Sequence, residues 1–144
     1  MTRISRDEYF LKIAETTALR STCPRAMVGA VLVKDNRIVS TGYNGAPRGI
    51  KHCDDEEGGC IMDEENHCIY AVHAEANCLI QGEIGDTIYT SHGLCLECAK
   101  LVINAGVKRI VYRTEYEDNR GNPQSLLADS GIIFEQYLYS WESS

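Results

Sequence analysis

The chain has 144 residues, 44% apolar and 24% charged, which suits one globular domain over 1–144 and excludes a long disordered chain. Its 14 Lys and Arg against 21 Asp and Glu leave a net charge of −7, opposite in sign to the basic face that nucleic-acid binding needs. The excess is local: Asp54, Asp55, Glu56, Glu57, Asp63, Glu64 and Glu65 fall in one twelve-residue stretch, and without them the balance is 14 against 14.

Ser5 and Glu8 have capping-box spacing. Tyr9, Phe10, Ile13, Ala14, Thr17 and Ala18 then recur at helical spacing and predict an amphipathic helix over 6–20. Val28 to Val33 is an apolar, β-branched run, Lys34 to Arg37 a polar turn and Ile38 to Tyr43 a second strand, together a β-hairpin. Asn44 to Gly49 reads as a loop. An acidic insertion at about 50–68 carries Cys53 and Cys60 and shows no clear periodicity. A helix is expected over 70–81, a strand over 87–91 and a helix over 95–105, capped by Gly106. A strand over 108–112 follows, then a helix near 124–130 opened by Pro123, then a strand over 132–138. This order predicts an α/β layered domain whose first strand pair is antiparallel and whose later strands are parallel.

No apolar run approaches the roughly 20 residues of a membrane span, and no apolar signal-peptide core follows Met1. The expectation is a cytoplasmic protein without a membrane partner. In a reducing compartment the seven cysteines read as metal ligands, catalytic groups or buried thiols before disulfides.

The chemistry concentrates in two short motifs, His73-Ala74-Glu75 and Cys95-Leu96-Glu97-Cys98, each near a predicted helix start. The second motif alone fits a redox pair, half a zinc site or two semi-buried thiols equally well, since a helix N-terminus favours thiolate in any case. Adding His73 makes one imidazole and two thiolates, a three-ligand zinc site with its fourth position open, which is the catalytic pattern. Glu75 lies too few residues from His73 for both to bind one ion easily. It is placed instead to move protons at an activated water.

Together these residues resemble the zinc-dependent cytidine deaminase superfamily, whose signature is His-x-Glu followed by Pro-Cys-x-x-Cys. Arg20-Ser21-Thr22-Cys23, Val28-Gly29-Ala30-Val31, Thr41-Gly42-Tyr43-Asn44-Gly45, the cysteine-bearing insertion, His67-Cys68 and Thr114-Glu115-Tyr116 are similar to deoxycytidylate (dCMP) deaminases over roughly 5–120. Leu94 departs from the pattern, standing where the signature has proline.

The resemblance implies a three-layer α/β/α fold with a mixed sheet of about five strands. It implies that His73, Cys95 and Cys98 bind Zn2+ and that Glu75 shuttles protons. It implies substrate contacts from Asn44, from the Ala74 backbone and from Arg25, Lys100 and Tyr116, the last three towards phosphate. It further implies a homo-oligomer, commonly a hexamer, activated by dCTP with a divalent cation such as Mg2+ and inhibited by dTTP; the Gly42–Gly49 loop, with Gly42, Gly45 and Arg48, is the candidate effector region. Plainer roles stand beside these: a surface charge for Arg25, turn geometry for Asn44, core packing for Tyr116, solvent for Lys100 and a surface position for His92. Cys78 reads as a buried thiol. Cys23, Cys53, Cys60, His67 and Cys68 are either separate side chains or a second, structural zinc site.

The leading function is hydrolysis of dCMP to dUMP and ammonia, feeding thymidylate synthesis. Deamination of dCTP, or of both nucleotides, is the alternative. Cytidine leaves the insertion and Arg25 unexplained, and tRNA adenosine is opposed by the charge of −7. A zinc-binding interaction module without catalysis has no use for Glu75, and a Cys-x-x-Cys oxidoreductase has none for His73.

Overall fold

A computed structural model describes residues 2–23, 26–50, 64, 70–115 and 122–139. Helix α1 (Arg6–Ala18) opens with Ser5 Oγ accepting from the Glu8 N–H at 3.1 Å. The Glu8 carboxylate pairs one turn on with Lys12 at 3.5 Å. The helix ends short of the expected residue 20 because Leu19 and Arg20 donate to Thr16 and Thr17, a tightened last turn.

Strands β1 (Gly29–Lys34) and β2 (Arg37–Tyr43) form the expected hairpin. Asp35 and Asn36 both take positive φ, 50° and 65°. Those angles match the twist of a two-residue hairpin, and Asp and Asn tolerate them better than most residues. β1 is buried on both faces, which explains its unbroken apolar run in place of alternation. Val31 and Val33 meet Phe10, Leu11 and Ala14 of α1, whereas Ala30 and Leu32 belong to the core under the other helices.

Strands β3 (Thr87–His92), β4 (Arg109–Thr114) and β5 (Ile133–Gln136) complete a sheet of order β2-β1-β3-β4-β5. β1 pairs antiparallel with β2 and β3, and β3–β4 and β4–β5 are parallel. The mixed five-stranded sheet thus follows the expected pattern, with α1 on one face and α2 (Ala74–Leu79), α3 (Leu96–Asn104) and α4 (Gln124–Ser130) on the other. Among the described residues no helix is long and apolar enough to cross a membrane.

Two glycines set how closely the helices approach. A Cβ at Gly29 would lie 2.0 Å from Ala14 O in α1, and one at Gly42 would lie 2.4 Å from Ala74 O and 2.6 Å from Cys78 N in α2. α2 is shorter than the helix expected over 70–81. Val72 exchanges backbone hydrogen bonds with Gly45 at 2.8 and 3.2 Å, and His73 is extended at φ −69°, ψ 152°. That bridge holds the segment before the helix straight and fixes where the helix begins.

Candidate metal and catalytic centre

The centre forms where two helix N-termini meet. His73 is the N-cap of α2 and Cys95 the N-cap of α3, yet neither side chain caps its own helix. Both turn instead towards Cys98, in the first turn of α3. His73 Nδ1 lies 3.2 Å from Cys98 Sγ and 3.4 Å from Cys95 Sγ, and the three donor atoms lie within 4.8 Å of one another. Ordinary Zn–N and Zn–S bonds in a tetrahedron put nitrogen and sulfur roughly 3.5 Å apart. The donor set therefore fits zinc in both chemistry and spacing. Among the described residues no other His, Cys, Asp and Glu side chains converge in this way.

Burial and mutual contact prepare the sulfurs. Cys95 and Cys98 are almost fully buried. The hydrogen bond from Cys98, reinforced by His73, holds the Cys95 thiol well below the usual thiol range. The same bond, with burial, pushes Cys98 up. Binding a metal dication would release the protons the pair still holds.

Glu75 lies in the first turn of α2, 4% exposed. Burial pushes its carboxyl up, opposed by its own backbone N–H, by His73 and by Cys98. It stands beside the donor set without belonging to it, as its spacing from His73 predicts. A buried carboxyl with a raised affinity for the proton is suited to carry a proton between groups.

The other candidates take different positions. Ala74 is fully buried at the first position of α2. Asn44 is buried, and its amide is engaged: Oδ1 accepts from Val28 N at 2.9 Å and Nδ2 donates to Ala26 O at 2.7 Å. Those bonds leave one N–H and one lone pair on the amide. Lys100 is exposed and pairs with Glu97 at 3.3 Å. Arg25 and Tyr116 lie outside the described residues, as do Cys53, Cys60, His67 and Cys68. In the candidate effector loop, Gly42 is buried against α2, Gly45 sits in the bridge to Val72 and Arg48 is exposed. Cys23 is buried, and Cys78 is buried in the core as expected. His92 is half-buried, with Nδ1 3.0 Å from Ser91 Oγ.

Sequence reasoning missed Ser91, whose Oγ accepts from Gly29 N at 3.0 Å and ties the end of β3 to the start of β1. It also missed the Val72–Gly45 bridge. No residue type or spacing announces either one.

A family model described as "Cytidine and deoxycytidylate deaminase zinc-binding region" matches residues 4–114. ComE operon protein 2 of Bacillus subtilis is 40% identical over 142 residues, 94% of this chain and 73% of that protein. The deoxycytidylate deaminase of Mycobacterium phage D29 is 41% identical over 128 residues, 80% of this chain and 99% of that one. Among solved structures, the dCMP deaminase of cyanophage S-TIM5 in complex with dCMP and dUMP superposes with a TM-score of 0.77 at 30% identity. It covers 95% of this chain and 100% of its own.

Proposed function

The chain belongs to the cytidine and deoxycytidylate deaminase family, and we propose that it hydrolyses dCMP to dUMP and ammonia. The observation that carries this reading is the convergence of His73, Cys95 and Cys98 with buried Glu75 beside them. Its support comes from a fold shared with a deaminase solved with dCMP and dUMP.

His73 Nδ1, Cys95 Sγ and Cys98 Sγ would hold the metal. Zinc, when bound, supplies a water acidified to near neutral pH. The Glu75 carboxylate is placed to take up a proton, deliver it to the cytosine ring nitrogen and send a second proton to the departing amino nitrogen. Water oxygen becomes the uracil carbonyl as the carbon–nitrogen bond breaks. The walls of α2 and α3 exclude bulk solvent from the carboxyl, which preserves its affinity for the proton.

The Ala74 backbone and the free capacity of the Asn44 amide face base and sugar in this reading, and Arg25, Lys100 and Tyr116 face the phosphate. For Lys100, phosphate replaces Glu97 as its partner. Regulation by dCTP with Mg2+ and by dTTP through Gly42, Gly45 and Arg48, assembly into a homo-oligomer such as a hexamer, and a cytoplasmic location complete the proposal. A second zinc on Cys23, Cys53, Cys60, His67 and Cys68 is tested by metal content, where one zinc per loaded chain refutes it.

The deciding experiment offers purified zinc-loaded protein dCMP, dCTP, CMP, deoxycytidine and cytidine, with and without dCTP or dTTP as effector. Ammonia release is followed. Preference for dCMP is expected. Preference for deoxycytidine overturns the nucleotide assignment, and indifference to both triphosphates overturns the regulation.

A further inference from the structure

We infer that Leu94 is a positioning residue for the metal centre: its buried side chain fixes the loop that presents Cys95. The inference rests on the zinc-binding role of Cys95.

The loop between β3 and α3 is Gly93-Leu94-Cys95. Its local sequence supplies no stiffness. Gly93 has the widest backbone freedom of any residue, and no proline restricts φ at position 94. Cys95 must nevertheless arrive at His73 Nδ1 within a few tenths of an ångström of the separation a metal needs, and it does so at 3.4 Å.

Two anchors are visible. The Gly93 N–H donates to Thr114 O at the end of β4 at 2.8 Å, which holds the start of the loop to the sheet. Leu94 is 3% exposed, unusual for a large side chain in a connecting loop. It joins the apolar cluster that contains Ala74, Cys95, Cys98 and Ala99, the first turns of both ligand-bearing helices. Ala74 is the residue between His73 and Glu75 in sequence. Leu94 therefore shares one apolar cluster with Cys95, Cys98 and the residue that follows His73, where a rigid ring would act on the backbone alone.

A brace of this kind has a signature that core stability lacks. Leu127 on α4 belongs to the same cluster and is as deeply buried, but it lies on no ligand-bearing element. Leu94→Ala, Leu94→Met and Leu127→Ala are compared as zinc-loaded proteins against a chromophoric chelator, with thermal unfolding of each metal-free form as the stability reference. The readout needs no turnover, so it stands whatever the substrate proves to be.

Leu94→Ala is expected to weaken zinc retention about tenfold, the lower end for groups that orient ligands. Leu94→Met, which keeps volume and apolarity, should restore it, and Leu127→Ala should unfold more easily while holding zinc as the parent does. Equal loss of zinc retention in Leu94→Ala and Leu127→Ala, or unchanged retention in both, overturns the inference.

Discussion

A single methyl group at Gly42 should damage the chemistry without touching it. Alanine there would place Cβ 2.4 Å from Ala74 O, 2.6 Å from Cys78 N and 3.0 Å from Cys78 Cα, all backbone atoms. Ordinary contact begins at 3.4 Å, so the first turn of α2 must retreat by ~1 Å. No side-chain rotation can relieve a clash with backbone. The turn that moves carries Glu75 and follows His73 directly. Overpacking of this kind costs about 1–3 kcal/mol, and a misplacement of about 1 Å at a catalytic group lowers rate on the order of 10²-fold. Gly29→Ala is the control. Its clash with Ala14 O is worse, at 2.0 Å, but it falls on α1, which carries none of the proposed zinc-ligand or proton-shuttle residues. Steady-state kcat is normalised to folded, zinc-loaded protein, and thermal melts are run beside it. Both variants should melt early, and only Gly42→Ala should lose kcat. Full kcat in Gly42→Ala, or equal losses in the two, refutes the claim that α2 registry sets the site.

Glu75→Gln should lower kcat by about 10²–10⁴-fold while zinc content stays at the parent level; surviving deamination would remove Glu75 from the mechanism. His73→Ala should lose far more zinc affinity than the roughly 10–100-fold typical of orienting groups, because it deletes a donor, and equilibrium dialysis measures this. Asp7 takes two hydrogen bonds from Arg109, at 2.7 and 2.9 Å, and one from Tyr89 at 2.7 Å, and Arg109 chiefly holds its carboxyl below the ordinary value of 3.8. A depressed folded pKa adds stability that is present above the unfolded pKa and lost as pH falls through the folded one. Asp7→Asn should therefore cost about 1–2 kcal/mol at pH 6, after allowance for partial exposure, and the gap should narrow below pH 3.8 in denaturant melts.

The elements legible in the sequence are those with a local cause. Ser5 caps α1, Asp35 and Asn36 make the turn, and the unbroken run of β1 reports burial on both faces. The clustering of His73, Cys95 and Cys98 was legible because His-x-Glu and Cys-x-x-Cys both sit at helix starts, where the dipole favours thiolate. What escaped has long-range causes. The start of α2 is fixed by Gly45, far back in the chain, so helical periodicity extended it to residue 70. The Asn44 amide is visible as a loop residue in the sequence, but its bonds to Ala26 and Val28 exist only once the hairpin has closed. Gly42 falls in the expected strand beside Tyr43, yet its lack of a side chain answers to a helix that begins thirty-odd residues later.

These causes divide the molecule across its sheet. The α1 face holds well-partnered charges: Asp7 with Arg109 and Tyr89, and Glu15 with Arg113. Each pair is only partly buried, and each favours the folded state. The opposite face carries a carboxyl and a thiol, Glu75 and Cys98, whose charged forms burial disfavours, with His73 offsetting part of that cost at Glu75. Buried ionisable groups are costly unless paired or bound to metal. The same dry surroundings that disfavour a charged Glu75 raise its affinity for a proton, and the crowding of two sulfurs beside His73 is the arrangement proposed to take a dication. Sequence changes that improved packing or solvation around these groups would raise stability by relaxing the strain the chemistry uses. The stabilising network therefore belongs on the face where it cannot reach the metal centre, and α1 is where it is found.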